Sequence, residues 1–231
     1  MGRQAWVGAL VAGALVLGFA GQARAQWRSA DDGEGYGTGA RLRETCLRVG
    51  VGSALFVHGA VSEDATDPAD YSEAFGPAFN LLVELEGRLN PQFALHGGLG
   101  YLHHFGGSDQ NVDFDDWPLI PLYVGAKFFP RLGSKQTELY VRLDLGLAVS
   151  QPVDIEVQTP FFTVNGDFYE SSTLFYGCLG VGVAHRPTNS RTRFGFEIGY
   201  RLMTGPDIKN SSDRGELSGA ITVLATIGVF V

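Results

Sequence analysis

The chain has no long apolar run after its first 25 residues, since none approaches the roughly 20 apolar residues of a membrane-spanning helix. It has only two cysteines, Cys46 and Cys178, and they match no metal-binding or redox spacing. It has no basic excess either, because the formal net charge is −8. These deficits argue against helical membrane spans, against thiolate metal sites and against nucleic acid as a partner.

The N-terminal segment has the three parts of a secretory signal peptide. Arg3 supplies a positive charge, residues 6–20 form an uncharged apolar stretch, and Ala23-Arg24-Ala25 places small residues at a cleavage site. The residues that follow are polar and rich in glycine, which is typical of a flexible tail. The predicted organisation is a signal peptide over 1–25, a flexible periplasmic N-terminal segment over 26–45 and one folded domain over 46–231.

From Cys46 onward, apolar and polar residues alternate with the period of two that is typical of β-strands. Between 139 and 147 every odd position is Leu or Val, whereas Glu138, Arg142 and Asp144 occupy even positions. Short turns and long loops alternate between such segments, as in an outer-membrane barrel with its short turns in the periplasm. The eight predicted strands are 46–60, 77–89, 92–105, 118–129, 136–150, 174–185, 192–202 and 217–231.

A soluble barrel would show the same alternation with its apolar side chains pointing inward. Here the polar face is rich in glycine, for example at Gly98, Gly180 and Gly182, which suits a narrow lumen. The apolar face carries aromatic residues near strand ends, where the interfacial girdles of membrane barrels lie. We therefore predict an all-β fold, an eight-stranded antiparallel up-and-down transmembrane β-barrel, because only a closed barrel satisfies strand backbones in lipid.

The segment Pro118-Leu-Ile-Pro-Leu-Tyr-Val-Gly-Ala-Lys-Phe-Phe-Pro130 resembles the fourth strand and following turn of the small outer-membrane β-barrel family, the OmpA/OmpX-like eight-stranded proteins. The resemblance covers residues 46–231, and its motifs encode the barrel rather than a chemistry. It implies a place in the bacterial outer membrane. The partners it implies are outer-membrane lipid, lipopolysaccharide and the barrel assembly machinery.

Charged residues on the polar face are predicted to point into the lumen. Five acids and six bases are nearly balanced in sign, which favours mutual pairing into a side-chain plug. The alternatives are a gated pore, or acid–base chemistry between paired carboxylates. The predicted lumen charges are Arg48, Glu84, Glu86, Arg88, Lys127, Glu138, Arg142, Asp144, Arg193, Glu197 and Arg201.

Two predicted outer loops, 61–76 and 106–117, are acidic and carry no base. In the second, oxygen-bearing side chains alternate as in a calcium loop, at Asp109, Asn111, Asp113 and Asp115. The sixth position is not glycine and the last is not glutamate, so this is no EF-hand. Two interpretations stay open: soluble surface loops, or weak Ca²⁺ or Mg²⁺ binding that bridges to lipopolysaccharide phosphates. No other cofactor is predicted.

The pair His103-His104, at the outer end of the third predicted strand, weakly resembles the active-site segment of lipid A deacylases. In those enzymes the histidine is followed two residues later by a serine nucleophile. Here Gly106 stands at that place and Ser108 is out of register. We therefore predict no enzymatic activity and expect the two histidines to be interface residues.

The long loop over 151–173 contains Pro160-Phe161-Phe162 and Phe168-Tyr169. It is predicted to form a hairpin above the membrane, whose aromatic residues contact a partner or pack over the barrel mouth. The sequence predicts a structural or interaction role, with four acidic or polar loops presented outside the cell. The alternatives are a small passive, porin-like channel and a lipid A-modifying membrane enzyme.

Overall fold

The structure is a computed structural model that describes residues 45–62, 69–109, 111–130 and 136–231. The predicted signal peptide and nearly all of the predicted periplasmic segment lie outside the described residues. Apart from one helical turn, α1 (Tyr71–Ala74), the regular structure is all β. The strands are β1 (Thr45–His58), β2 (Phe75–Asn90), β3 (Phe93–Gly106), β4 (Ser108–Asp109), β5 (Val112–Phe114), β6 (Trp117–Phe128), β7 (Thr137–Ser150), β8 (Val153–Gln158), β9 (Thr163–Tyr169), β10 (Ser172–His185), β11 (Thr192–Met203) and β12 (Ser218–Phe230).

Eight long strands form one closed barrel in the order β1-β12-β11-β10-β7-β6-β3-β2. Every neighbouring pair is antiparallel, and β1 closes the barrel against β12 with Cys46 opposite Phe230. The long strands begin and end within about two residues of the predicted limits, which is the usual precision of boundaries read from sequence. The predicted eight-stranded up-and-down barrel is confirmed.

The two faces of the barrel differ in polarity as the period of two requires. On β7, Leu143, Leu145 and Leu147 point outward and are between 51% and 53% exposed. Their neighbours Arg142 and Asp144 point inward and are buried. Among the described residues, no helix reaches the length and apolarity that crossing a membrane would need.

The loops at one end of the barrel form a second, four-stranded sheet in the order β4-β5-β8-β9. Strands β8 and β9 are the hairpin predicted in the long loop, and β5 pairs with β8. Helix α1 lies between β1 and β2 at the same end. The opposite end carries short turns, such as the one where the side chain of Asn90 accepts hydrogen bonds from the backbone N–H groups of Gln92 and Phe93. We call the loop-bearing end the outer end and the opposite end the inner end, following the orientation predicted from the sequence.

Candidate functional site in the barrel lumen

The inner part of the lumen is organised around Glu84, which is 1% exposed. Its carboxylate accepts a hydrogen bond from Arg48 Nη2 at 3.2 Å, pairs with Arg142 Nη2 at 3.1 Å, and also accepts one from Lys127 Nζ. Three cations from three different strands thus meet one carboxylate. Such a buried carboxylate is stable only because its neighbours neutralise it.

Glu197 on β11 provides the second junction. Arg142 Nη1 donates to its Oε1 at 2.7 Å and Arg48 Nη1 to its Oε2 at 3.1 Å. The hydroxyl of Tyr140 donates to Glu197 Oε2 at 2.9 Å and accepts a hydrogen bond from Arg48 at 3.0 Å. The two junctions share both arginines, so β1, β2, β7 and β11 are tied together across the lumen.

Two further carboxylates complete this group. Asp144 accepts from Arg142, and its Oδ1 lies 2.6 Å from His96 Nε2. Glu86 accepts from Lys127 Nζ at 2.7 Å and from Arg193 Nη2 at 2.8 Å. We call the set of four carboxylates and four cations the charge network. Its members are Glu84, Glu86, Asp144, Glu197, Arg48, Lys127, Arg142 and Arg193.

The structure places the other three predicted lumen charges outside this network. Arg88 and Glu138 form their own ion pair, and the Arg88 guanidinium lies 4.0 Å from the ring centroid of Phe129. Arg201 lies on the other side of the network, toward the outer end, where its Nη2 donates to His104 Nε2 at 3.3 Å. The five acids and six bases predicted from the sequence thus divide into three groups. Four of each form the network, Arg88 and Glu138 form a separate pair, and Arg201 is the remaining base.

Three residues that contact the charge network were not among the predicted site residues. His96, Tyr123 and Tyr140 all point inward and bond to network carboxylates. A signal for them exists in the sequence, because each has the same parity as predicted inward residues of its own strand. The crowding explains a glycine as well: a side chain at Gly182 would overlap the ring of Tyr140.

The outer part of the lumen is filled by aromatic rings instead of charges. Phe56 stacks on His104 with centroids 4.2 Å apart and on Tyr71 at 5.0 Å. Trp117 lies 5.6 Å from Tyr71 and 5.2 Å from Phe75, and its indole N–H donates to Ser150 Oγ at 2.8 Å. We call this cluster the aromatic cap. Its members are Phe56, Tyr71, Phe75, His104, Phe114, Trp117, Phe168 and Tyr169.

Part of the aromatic cap comes from the loops. Tyr169, at the end of the long hairpin, is buried and its hydroxyl donates to the backbone oxygen of Val61 at 2.7 Å. Burial holds the pKa of the Tyr169 phenol well above its usual range. At the hairpin tip, Phe161 and Phe162 are 92% and 62% exposed. The predicted packing of loop aromatics over the barrel mouth is thus found at Tyr169, whereas contact of the exposed tip with a partner stays a prediction.

The expectation that both histidines are interface residues is wrong for His104. Successive residues of β3 point to opposite faces, so His104 is buried in the aromatic cap while His103 points outward. His103 Nε2 lies 2.8 Å from Asp116 Oδ2. Ser108 belongs to β4 in the external sheet. Cys46 and Cys178 lie on β1 and β10 as buried free thiols.

Of the predicted cation ligands, Asp113 lies on β5 and its Oδ2 accepts a hydrogen bond from Gln158 Nε2 at 3.0 Å. Asp109 lies on β4, Asn111 precedes β5 and Asp115 follows it. Within the described part of the chain, no group of three or more His, Cys, Asp or Glu side chains is arranged to hold a metal ion. Cation binding at these loops stays a prediction.

The closed barrel has an apolar belt on its outside and buried charges in its interior. This distribution of polarity is the reverse of that in a water-soluble protein. Such an exterior is stable only in lipid, and closed β-barrels that span a membrane belong to the outer-membrane type. The chain has the fold of the small eight-stranded outer-membrane β-barrels. It is an outer-membrane protein.

Comparison with known proteins finds similarity to solved structures. No family model matches this chain, and no curated protein matches it. Among solved structures it is similar to Neisserial surface protein A, at 11% identity and a TM-score of 0.45, over 84% of this chain and 100% of that one. It is also similar to the attachment invasion locus protein Ail of Yersinia pestis, at 10% identity and a TM-score of 0.45, over 82% and 99%. A third match is the outer membrane protein OprG from Pseudomonas aeruginosa, at 10% identity and a TM-score of 0.47, over 84% and 98%.

Proposed function

We propose that this protein is a non-conducting outer-membrane barrel with a structural or interaction role carried by its external loops. The observation that supports the proposal is the double filling of the lumen. The charge network crosses the inner part, and the aromatic cap crosses the outer part with Trp117 fully buried. The cavity between the two has a volume of only about 20 Å³, room for about one water molecule.

The test is single-channel conductance of the refolded protein in a planar bilayer. We expect no sustained conductance, because an ion would have to displace several mutually paired side chains. Migration in gels before and after boiling provides the control, since a closed barrel resists detergent until it is heated. Steady, salt-dependent current from verifiably folded protein would favour the channel alternative and make the network residues selectivity determinants.

The proposal assigns no catalysis to the outer end. A lipid A-modifying enzyme needs a serine, a histidine and a carboxylate that converge at the outer leaflet. His104 is stacked against Phe56 inside the cap, which removes it from such a site. His103 does reach a carboxylate, Asp116, on the outer surface. Unchanged lipid A in cells that overproduce the protein is the expected result, and a changed acylation pattern would contradict the proposal.

The external sheet is the surface to which the proposal assigns the interaction. Its hairpin β8–β9 ends in Phe161 and Phe162, whose rings are largely exposed, although solvent exposure of two adjacent aromatic rings is unfavourable. We infer that this tip contacts outer-leaflet lipid or lipopolysaccharide. The apolar belt of the barrel contacts the same membrane, into which the barrel assembly machinery would insert the chain.

A double substitution at the tip tests that contact. The variant with Phe161→Ser and Phe162→Ser should bind lipopolysaccharide-containing vesicles more weakly than the wild-type protein, in a flotation assay with the protein held in nanodiscs. Val164→Ser is the matched control, because Val164 is also exposed but lies on β9 below the tip. Equal binding by all three proteins would remove lipid from the proposed partners.

A further inference from the structure

Within the described part of the chain, one charge in the lumen has no counter-charge. Arg201 is 1% exposed, and among the described residues no carboxylate forms an ion pair with it. The hydrogen bond it makes is to His104 Nε2 at 3.3 Å. Because an arginine can only donate, that ring nitrogen must carry its lone pair. His104 is then neutral and supplies no counter-charge. Among the residues that the structure describes, the Nε of Arg201 has no hydrogen-bond partner.

The carboxylates nearest to this level of the lumen are already neutralised. Asp144 is held by Arg142 and His96, and Glu197 by Arg142, Arg48 and the Tyr140 hydroxyl. Within the charge network the four carboxylates balance the four cations. Arg201 therefore adds one uncompensated positive charge to a buried site, which is strongly unfavourable unless an anion accompanies it.

A cavity for such an anion lies beside Arg201, between the charge network and the aromatic cap. Its volume is about 20 Å³, and its lining includes Arg201, the amide of Asn80 and the ring of Tyr176, together with Asp144 and Glu197, whose carboxylates are already paired within the charge network. That volume holds one particle about as large as a water molecule. Among common anions a monatomic halide comes nearest to that size, whereas sulfate, phosphate and carboxylates are polyatomic and larger. The lining provides the N–H and O–H donors that a halide requires.

We propose that this cavity is a halide site, in which one chloride ion neutralises Arg201. The chloride sits where the interior changes from charged to aromatic, and it completes the hydrogen bonding of the guanidinium. The site is independent of whether the barrel conducts, because it depends only on the burial of Arg201 and on the cavity beside it.

Thermal unfolding of the refolded protein in a nonionic detergent tests the proposal. Chloride is varied against gluconate at constant ionic strength, so that only the identity of the anion changes. Above the dissociation constant, each tenfold rise in chloride should raise the unfolding midpoint by about 3–6 °C. Arg201→Met should abolish this response. Arg88→Met, which removes a lumen arginine that has its own carboxylate, should retain it.

A midpoint that depends on ionic strength alone, or a chloride response that survives in Arg201→Met, would overturn the proposal. If Arg201→Met does not fold, crystals of the wild-type protein grown in bromide decide the question. An anomalous peak beside Arg201 would support the site. A water molecule there, without anomalous signal, would overturn it.

Discussion

The two halves of this lumen solve the same packing problem with opposite chemistries. Toward the inner end, the space is occupied by the charge network, in which Glu84 alone contacts three cations. Toward the outer surface, it is occupied by the aromatic cap, in which Phe56 alone contacts three rings. The first half depends on ions held in fixed geometry, and the second on the removal of apolar surface from water.

The origin of the side chains differs as well. All members of the charge network lie on barrel strands, so the network forms whenever the barrel closes. The aromatic cap takes Tyr71 from α1, Phe114 from β5 and Tyr169 from β9, all of which lie in the loops. The inner half is thus a property of the barrel alone, whereas the outer half requires that the loops also fold. Substitutions that affect one half and spare the other test this distinction.

The largest effect is expected for Glu84→Gln, which keeps the shape of the side chain and removes its charge. The buried network would then contain four cations but only three carboxylates, because Arg48, Lys127 and Arg142 all lose the charge of Glu84. We expect this imbalance to lower the free energy of unfolding by about 3–5 kcal/mol. Urea unfolding of the refolded protein in detergent measures this loss. The external loops should be unaffected, and cleavage of the folded variant by a soluble protease should match that of the wild type.

Glu138→Gln is the matched control, because it makes the same change in a carboxylate on the same face of the barrel. Among the described residues Glu138 has one ion-pair partner, Arg88, and its side chain is 35% exposed. Its loss should therefore cost no more than about 1 kcal/mol, as for a pair at a solvent-accessible site. Equal costs for the two variants would show that the network is no more than a set of independent pairs.

A smaller effect is expected for Phe56→Leu in the aromatic cap. The change keeps an apolar side chain but removes three ring–ring contacts, each contributing about 0.5–1.5 kcal/mol. Because leucine keeps part of the apolar contact, we expect a total loss of about 1.5–3 kcal/mol, the lower part of the summed range, measured by the same urea unfolding. This loss should be insensitive to salt. A strong dependence on ionic strength would mean that the cap is coupled electrostatically to the charge network below it.

The sequence predicts the barrel well because the period of two reports directly which face each residue occupies. A strand cannot slip by one residue without moving Leu143 into the lumen and Arg142 into lipid. The odd or even position of a residue along its strand likewise assigns all eleven predicted charges, and His96, to the inner face. It does not tell which long side chains meet across the lumen, since that depends on strand stagger and on rotamers. The isolation of Arg201 and the loop-borne part of the cap were beyond the sequence for this reason.

The smallest effect tests the contact between the loops and the mouth of the barrel. Tyr169→Phe keeps the ring in the aromatic cap and removes the hydroxyl that donates to Val61 O. Loss of one such bond should cost about 1 kcal/mol. The cost should appear as faster hydrogen exchange in β9 and around Val61, with exchange in β7 and β11 unchanged, because the inner half of the lumen does not depend on the loops. Faster exchange throughout the barrel would contradict the division into two independently stabilised halves.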